Sequence, residues 1–202
     1  MILSRSNLEV SVEHIQKSRG EIRKLWMTEL DSYRDHLLRL DKDSRWLRFG
    51  MHVDDVFITD YAARVNDMKS VIYGLFLDGA IRAAAELRPL AAQSGGEAEA
   101  AFSVETEFQD TGIGTRLLGR VIRAARNRGI YRIYMNCLAE NRKMQRVAKK
   151  YEAVLKFEEG DVVGELAPVT PNYFSIWREA LEDERGFVMA VLDLQRKILP
   201  AA

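Results

Sequence analysis

The chain has 202 residues, 47% of them hydrophobic and 30% charged, with 13 Gly and 4 Pro. Folding a chain of this length as one domain buries roughly 70% of its unfolded surface, and the composition excludes disorder as the dominant state. Lys+Arg and Asp+Glu are both 30, so no global field advertises nucleic acid or an anionic membrane as a partner.

The opening stretch to Lys17 is weakly amphipathic through Leu8, Val12 and Ile15, and reads as a short helix laid on the domain. Its acidic residues leave no apolar centre for a signal peptide. Glu21 to Leu25 alternates as a strand. Thr28 followed by Asp31 resembles a helix-capping pair, and Leu30, Tyr33, Leu37, Leu38 and Leu40 form a helical stripe behind it. A second stripe, Val56, Phe57, Tyr61 and Val65, starts with Asp54 or Asp55 as cap. Then the period changes. Val71 to Leu77, Asp78-Gly79 and Ala80 to Leu87 predict a β-hairpin, because Asp-Gly tolerates the positive φ angles of a tight turn.

Ala91 to Gly96 reads as a loop and Glu97 to Val104 as a strand. Gly112 to Arg126 is the best helix in the chain, with Ile113, Leu117, Leu118, Val121, Ile122 and Ala125 on one face and Gly129 as its stop. Ile130 to Cys137 is a strand, and Asn141 to Tyr151 a helix with Met144, Val147 and Ala148 inward. Ala153 to Phe157 and Val162 to Leu166 form a last hairpin, Pro168 and Pro171 end the unit, and Ser175 to Leu199 makes a C-terminal helix carrying Ile176, Leu181, Val188, Val191 and Leu192. The longest uncharged run, Ala167 to Trp177, is too short and too polar to span a bilayer. The order predicts an α/β (α+β) fold: a mixed, mostly antiparallel sheet with helices on its faces.

The informative loop is Gln109-Asp110-Thr111-Gly112-Ile113-Gly114-Thr115, between a strand and that best helix. Two glycines at this spacing let backbone N–H groups converge, and the helix N-terminus adds partial positive charge, so the segment suits a phosphate or pyrophosphate. A dinucleotide fingerprint needs a third small residue where Leu117 stands, and a P-loop needs a lysine after the second glycine, where Thr115 stands. Both are excluded.

What remains, Q-x-x-G-x-G after a strand, resembles the acyl-CoA-binding motif of the GNAT superfamily of N-acetyltransferases. The likeness extends over Glu21 to Leu166 through the element order, the strand Tyr131-Arg-Ile-Tyr-Met-Asn136 and the helix start Asn141-Arg-Lys-Met144. It implies acetyl-CoA as cofactor, with the pyrophosphate on the amides of Gln109, Asp110, Thr111, Gly112, Ile113, Gly114 and Thr115. It further implies the pantetheine arm beside Phe102, Ser103 and Val104, and Asn141 and Met144 on that arm. Arg116 or Lys149 would meet the adenosine phosphate. The stretch Ser44-Arg-Trp-Leu-Arg-Phe49 is similar to the bacterial protein-lysine-acetylating branch. Residues 1–20 are then an N-terminal extension, 21–166 the acetyltransferase domain and 167–202 a C-terminal helical extension.

Acetyl transfer to an amine by direct attack in a ternary complex needs a polarised carbonyl, a proton acceptor and a leaving thiolate. Backbone N–H groups near Val104 are the candidate carbonyl donors. A buried carboxylate suits the base, and Glu99 and Glu86, among alanines and leucine, are the candidates; Glu105 reads as a solvated strand end. Many family members carry a tyrosine seven residues after the asparagine, as acid for the thiolate. Ala148 stands there, and Tyr151 reads as a packing aromatic. A thiol with a pKa of about 8.5 still leaves tolerably. The acceptor is an amine on a small molecule or a protein lysine. The rivals are a silent acyl-CoA-binding module and a partner-binding domain whose C-terminal helix pairs with a copy of itself as a homodimer. His14, His36, His52 and the single Cys137 make no metal spacing, and one cysteine fits a reducing, cytoplasmic setting.

Overall fold

The computed structural model describes residues 20–90, 96–158, 161–168 and 173–198. The amphipathic stretch to Lys17, residues 91–95 of the expected loop, and Pro171 lie outside them. The strands Glu21–Lys24 (β1), Val71–Leu77 (β2), Ala80–Pro89 (β3), Glu97–Val104 (β4), Arg132–Leu138 (β5), Val154–Glu158 (β6) and Asp161–Leu166 (β7) form one sheet in the order β1-β2-β3-β4-β5-β7-β6. Every neighbouring pair is antiparallel except β4 and β5. Asp78 and Gly79 hold φ values of 52° and 73°, the two positive values that a tight hairpin turn requires.

Among the described residues six α-helices cover the sheet: Leu30–Arg39 (α1), Lys42–Phe49 (α2), Asp55–Arg64 (α3), Ile113–Asn127 (α4), Arg142–Lys149 (α5) and Tyr173–Ile198 (α6). The apolar face of α4 (Leu117, Leu118, Val121 and Ala124) is fully buried against Leu75, Ala83, Ala85, Leu87 and Ala98. On the other face, Tyr33 and Leu37 of α1 and Ile58 and Ala62 of α3 pack on Ile72, Phe76 and Ala84. This is the mixed α/β fold that the element order predicts.

The feature that positions the site is a parting of two strands. β4 and β5 pair only at Glu97–Arg132, Ala98–Ile133 and Glu99–Tyr134. β4 continues beside β3 to the Val104–Ala83 pair, and β5 continues beside β7 to Leu138–Asp161. Glu105 N–H donates to Arg82 O, and Glu97 O accepts from Leu90 N–H. Odd-numbered residues of β4 therefore address β3, and the even ones, Ala100, Phe102 and Val104, turn their backbone groups into the split.

Three expectations need correction. Two helices were expected before the hairpin, but three are present. The Lys42–Phe49 helix announces itself by its ends: the Asp41 carboxylate accepts from Ser44 N–H at 2.7 Å, and Gly50 adopts φ 68° as the stop. Thr28 is not a cap, because the chain enters α1 through a 3-10 turn, Met27–Glu29, in which Trp26 N–H donates to Glu29 Oε2 at 3.1 Å. In α3, Asp54 is the cap, but Val56 is exposed and the buried stripe is Ile58, Ala62 and Val65.

The C-terminal helix turns its apolar stripe outward. Its domain-facing residues are Ser175, Glu179, Gly186 and Ala190, while Phe174, Trp177, Leu181, Val188 and Leu192 are exposed. The reason is charge. The domain offers Arg23, Lys24, Arg120 and Arg128, and the helix answers with Asp193, Asp183, Glu182 and Glu179.

Asp41 ties α2 to the end of β4, since its other oxygen accepts from the Thr106 hydroxyl. That bond and the Ser44 N–H hold the Asp41 carboxyl below its ordinary value. The stabilisation is therefore present above the unfolded carboxylate value of about 3.9 and is lost as pH falls through the lower folded value. Asp41→Ala should cost about 1 kcal/mol in urea unfolding at neutral pH and flatten the acid dependence below about pH 4. An unchanged midpoint would remove this role from Asp41.

Candidate functional site

The split opens on a cavity of about 330 Å³ between α2, β4, the glycine loop and α5. Phe102, Ser103, Val104, Gln109, Asp110, Gly112, Ile113, Gly114, Thr115, Asn141 and Met144 all line it. The loop's shape follows from two left-handed residues, Asp110 (φ 58°) and Gly112 (φ 80°). The first helical bond of α4 runs from Arg116 N–H to Gly112 O, so the amides of Ile113, Gly114 and Thr115 are the helix's unspent donors. A Cβ built on Gly114 meets only Val147 Cγ2, at 3.6 Å. The open space at this glycine is on the cavity side. These donors, the open glycine and the split backbone together fit a pyrophosphate with an extended amide-bearing arm.

Gln109 braces the mouth by its side chain. Its Nε2 donates to Val104 O at 3.1 Å and Ser44 Oγ at 3.2 Å, and its Oε1 accepts from Lys143 Nζ at 2.9 Å. Asn141 caps α5, accepting from Met144 N–H at 3.0 Å, while it lines the cavity. Two loop-region expectations fall outside the cavity wall. Thr111 is turned back to donate to Phe108 O at 2.6 Å, and Arg116 reaches toward Gly20 O. Of the basic residues of α5 and its C-terminal end, it is Lys143, Arg146 and Lys150 that line the cavity, and not Lys149. The spacing of three and four along α5 could have indicated this shared face.

Tyr151 lies outside the cavity too. Its hydroxyl donates to Thr115 O at 3.0 Å, over Gly119, where an added Cβ would come within 2.7 Å of the Tyr151 hydroxyl oxygen. Ala148 is buried. Cys137 is half-buried, and burial, with Asp161 beside it, pushes its thiol up and away from reactivity.

A second cavity of about 180 Å³ adjoins the first, and Arg48 of α2 lines both. Phe49, Tyr61, Glu86, Arg88, Glu99 and Ala101 complete its wall. Strand register puts the two candidate carboxylates here, because Arg88 pairs with Glu99 and Glu86 with Ala101 on one face. Their surroundings differ from the apolar ones expected, since Ala83, Ala85, Leu87, Ala98 and Ala100 lie on the opposite face. Glu86 is buried and accepts from Arg48 at 2.9 Å, Ser70 Oγ at 2.7 Å, Tyr33 at 3.2 Å and Tyr61. Burial pushes both tyrosine hydroxyls up, so they remain donors. Burial pulls Arg48 down, but the tyrosines and Glu86 outweigh it and keep the guanidinium charged. Glu99 accepts from Arg88 and from Asn136 Nδ2 at 3.3 Å, and its side chain retains 22% exposure.

Glu105 is not a solvated strand end. It is 9% exposed and accepts from His36, Arg39 and Arg82. His36, completely buried, was legible in the sequence only as a lone histidine. Among the described residues no group of His, Cys, Asp and Glu is placed to hold a metal, and no helix is long and apolar enough to cross a membrane.

Residues 23–152 match the model of the Acetyltransferase (GNAT) family. Among solved structures, the GNAT domain of the Streptomyces lividans PAT protein is 22% identical with a TM-score of 0.64, over 73% of this chain and 90% of that one. A putative acetyltransferase from Salmonella typhimurium, solved with its cofactor acetyl-CoA, is 18% identical with a TM-score of 0.54, over 76% and 98%. The ribosomal-protein-alanine N-acetyltransferase of Brucella melitensis is 16% identical with a TM-score of 0.56, over 72% and 96%. No curated protein matches the chain. At these identities the likeness is one of fold. The family match spans more than half of the chain and includes the whole glycine loop and the parted strands. The chain belongs to the GNAT family of acetyltransferases, whose acyl donor is acetyl-CoA.

Proposed function

We propose that the chain acetylates a primary amine, on a small molecule or a protein lysine, by direct attack within a ternary complex. The observation that carries this reading is the juxtaposition of the two cavities across Arg48. One has the donors for the acyl donor, and the other is a narrow, carboxylate-bearing pocket suited to an ammonium on an unbranched chain. Acetyl-CoA supplies the activated thioester. The amides of Ile113 to Thr115 hold its pyrophosphate, Lys143, Arg146 and Lys150 lie where its remaining phosphate can be met, and Asn141 bonds the arm. Phe102 and Val104 present backbone donors to the arm and to the carbonyl, whose developing charge they stabilise in place of water.

Glu99 is the proposed acceptor for the first proton of the arriving ammonium. Glu86 is fully engaged by its four donors and holds Arg48 in place. The proposed domain division, with residues 167–202 as a helical extension, gives α6 a separate task. Its outward stripe, Phe174, Trp177, Leu181, Val188 and Val191, follows heptad spacing, which suits pairing with the same helix of a second copy.

Five outcomes test these assignments. Gly114→Val should weaken acetyl-CoA binding at least tenfold by calorimetry with little change in melting temperature, because protein atoms leave room for the side chain; unchanged affinity would move the pyrophosphate elsewhere. Glu99→Gln should lower kcat by roughly 10²–10⁴ with acetyl-CoA affinity preserved. Glu86→Gln should instead lower stability by about 3 kcal/mol through the buried Arg48 charge, and a kcat loss confined to it would transfer the proton to Glu86. Absence of coenzyme A release with any amine would favour the silent module. Trp177→Lys combined with Leu181→Lys should halve the sedimenting mass; an unchanged mass would show that α6 does not pair.

A further inference from the structure

The wall between the first cavity and α1 contains a hydrogen-bonded chain that the scheme above leaves unused. Ser103 lines that cavity. Its Oγ lies 2.9 Å from His36 Nε2, and His36 Nδ1 lies 3.1 Å from Glu105 Oε1. Glu105 also accepts from Arg39 Nε at 3.0 Å and Arg82 Nη1 at 3.1 Å. Burial pushes its carboxyl up, but His36 and Arg39 outweigh burial and hold it below its ordinary value. An ionised carboxylate only accepts, so Nδ1 carries the imidazole proton and Nε2 presents a lone pair. That fixes the last link: the Ser103 hydroxyl donates to His36. A hydroxyl whose own proton is already shared with an oriented imidazole is prepared to accept another on its oxygen.

The register puts Ser103 on the reactive side. Odd-numbered β4 side chains share one face, so Ser103 stands two residues from Ala101 and four from Glu99, both of which line the second cavity. The neighbouring Phe102 and Val104 turn their backbone donors into the split. Ser103 is therefore flanked by the proposed carbonyl donors and faces the side from which the amine comes.

We propose that Ser103 is a catalytic residue of the acetyl transfer, relaying the second proton of the amine nitrogen to His36. The proposal rests on the acetyl-transfer reading and completes its proton balance. An ammonium loses two protons on the way to an amide. The first goes to Glu99. As the N–C bond forms, the nitrogen becomes positive again and its next N–H bond breaks toward Ser103 Oγ, while the Oγ–H bond breaks and Nε2–H forms. Glu105 faces the resulting imidazolium. When the C–S bond breaks, its electron pair goes to sulfur, and His36 returns the proton through Ser103 to the thiolate. This supplies the proton that Ala148 cannot give. His36 and Glu105 act through Ser103 and are positioning residues.

The charged groups around His36 set when the relay is open. These are Glu105 beyond β4, Arg39 on α1, Arg48 on α2 and Arg82 on β3. Burial, joined by Arg39 and Arg48 and opposed by Glu105, holds the imidazole below its ordinary value, so Nε2 keeps its lone pair through neutral pH.

The test compares Ser103→Ala with Glu99→Gln, using amines that are charged at the assay pH and amines that are already neutral. Ser103→Ala should lose about 10²-fold in kcat with both kinds, with acetyl-CoA affinity by calorimetry within threefold of wild type. Glu99→Gln should lose rate only with the charged amines. In the protein without acetyl-CoA, Ser103→Ala should move the nitrogen resonance of His36 Nε2 to that of an unbonded acceptor. Glu105→Gln should lower kcat with KM for acetyl-CoA unchanged. Ser103→Ala activity within threefold of wild type, an unmoved His36 resonance, or acetyl bound covalently to Ser103 in the absence of amine would each overturn the relay. Wild-type protein that releases no coenzyme A with any amine would overturn the acetyl-transfer reading itself, whatever the His36 resonance does.

Discussion

The parting of β4 from β5 beyond the Glu99–Tyr134 pair is the constraint on which the site depends. Two strands in the middle of a seven-stranded sheet give up their mutual hydrogen bonds, although each keeps its outer neighbour. Backbone groups in such a place need partners. Gln109 answers one of them, at Val104 O, and Phe102 and Val104 line the cavity. The glycine loop lies at the foot of the split because it follows β4 directly, and its helix runs back under the sheet. One break in one ladder thus produces the slot and its polar lining, with the glycine loop at its end.

The two faces of the sheet are built by different forces, and that difference places the chemistry. Beneath, α4 buries an almost unbroken apolar stripe, which fixes the loop rigidly. Above, α1 to α3 cover the sheet with a core interrupted by Arg48, Glu86, His36 and Glu105, all buried or nearly so. Burying ionic groups is a weak source of stability, but these groups satisfy one another and surround both cavities with fixed charges. Breaking one pair leaves its partner uncompensated, so the polar wall is costly to alter. It also gives the second cavity a preorganised field instead of solvent.

Much of this was legible in the residues. Asp78-Gly79, the α4 stripe and the Gln109–Thr115 loop are local signals, decided by backbone conformation and period within one segment, and the structure keeps all of them. What periodicity leaves out is mostly non-local. The orientation of α6 depends on arginines of β1 and α4 meeting its carboxylates, which no periodicity reveals. Glu105 and His36 are far apart in sequence and look like ordinary surface residues until α1 folds over β4. Which basic residues line the cavity depends on the face that α5 turns to it, and these are Lys143, Arg146 and Lys150. The short Lys42–Phe49 helix carried its cap and its glycine stop in plain view, but its stripe is too brief to stand out.

The central claim is that acetyl-CoA completes the broken ladder of β4, and amide hydrogen exchange reads this most directly. Acetyl-CoA added to the full chain should slow exchange at Phe102, Val104 and residues 112–115, and leave β2 and the outer hairpin of β6 and β7 unaffected. Protection confined to the exposed face of α6, or no protection in β4 and the glycine loop, would contradict the account.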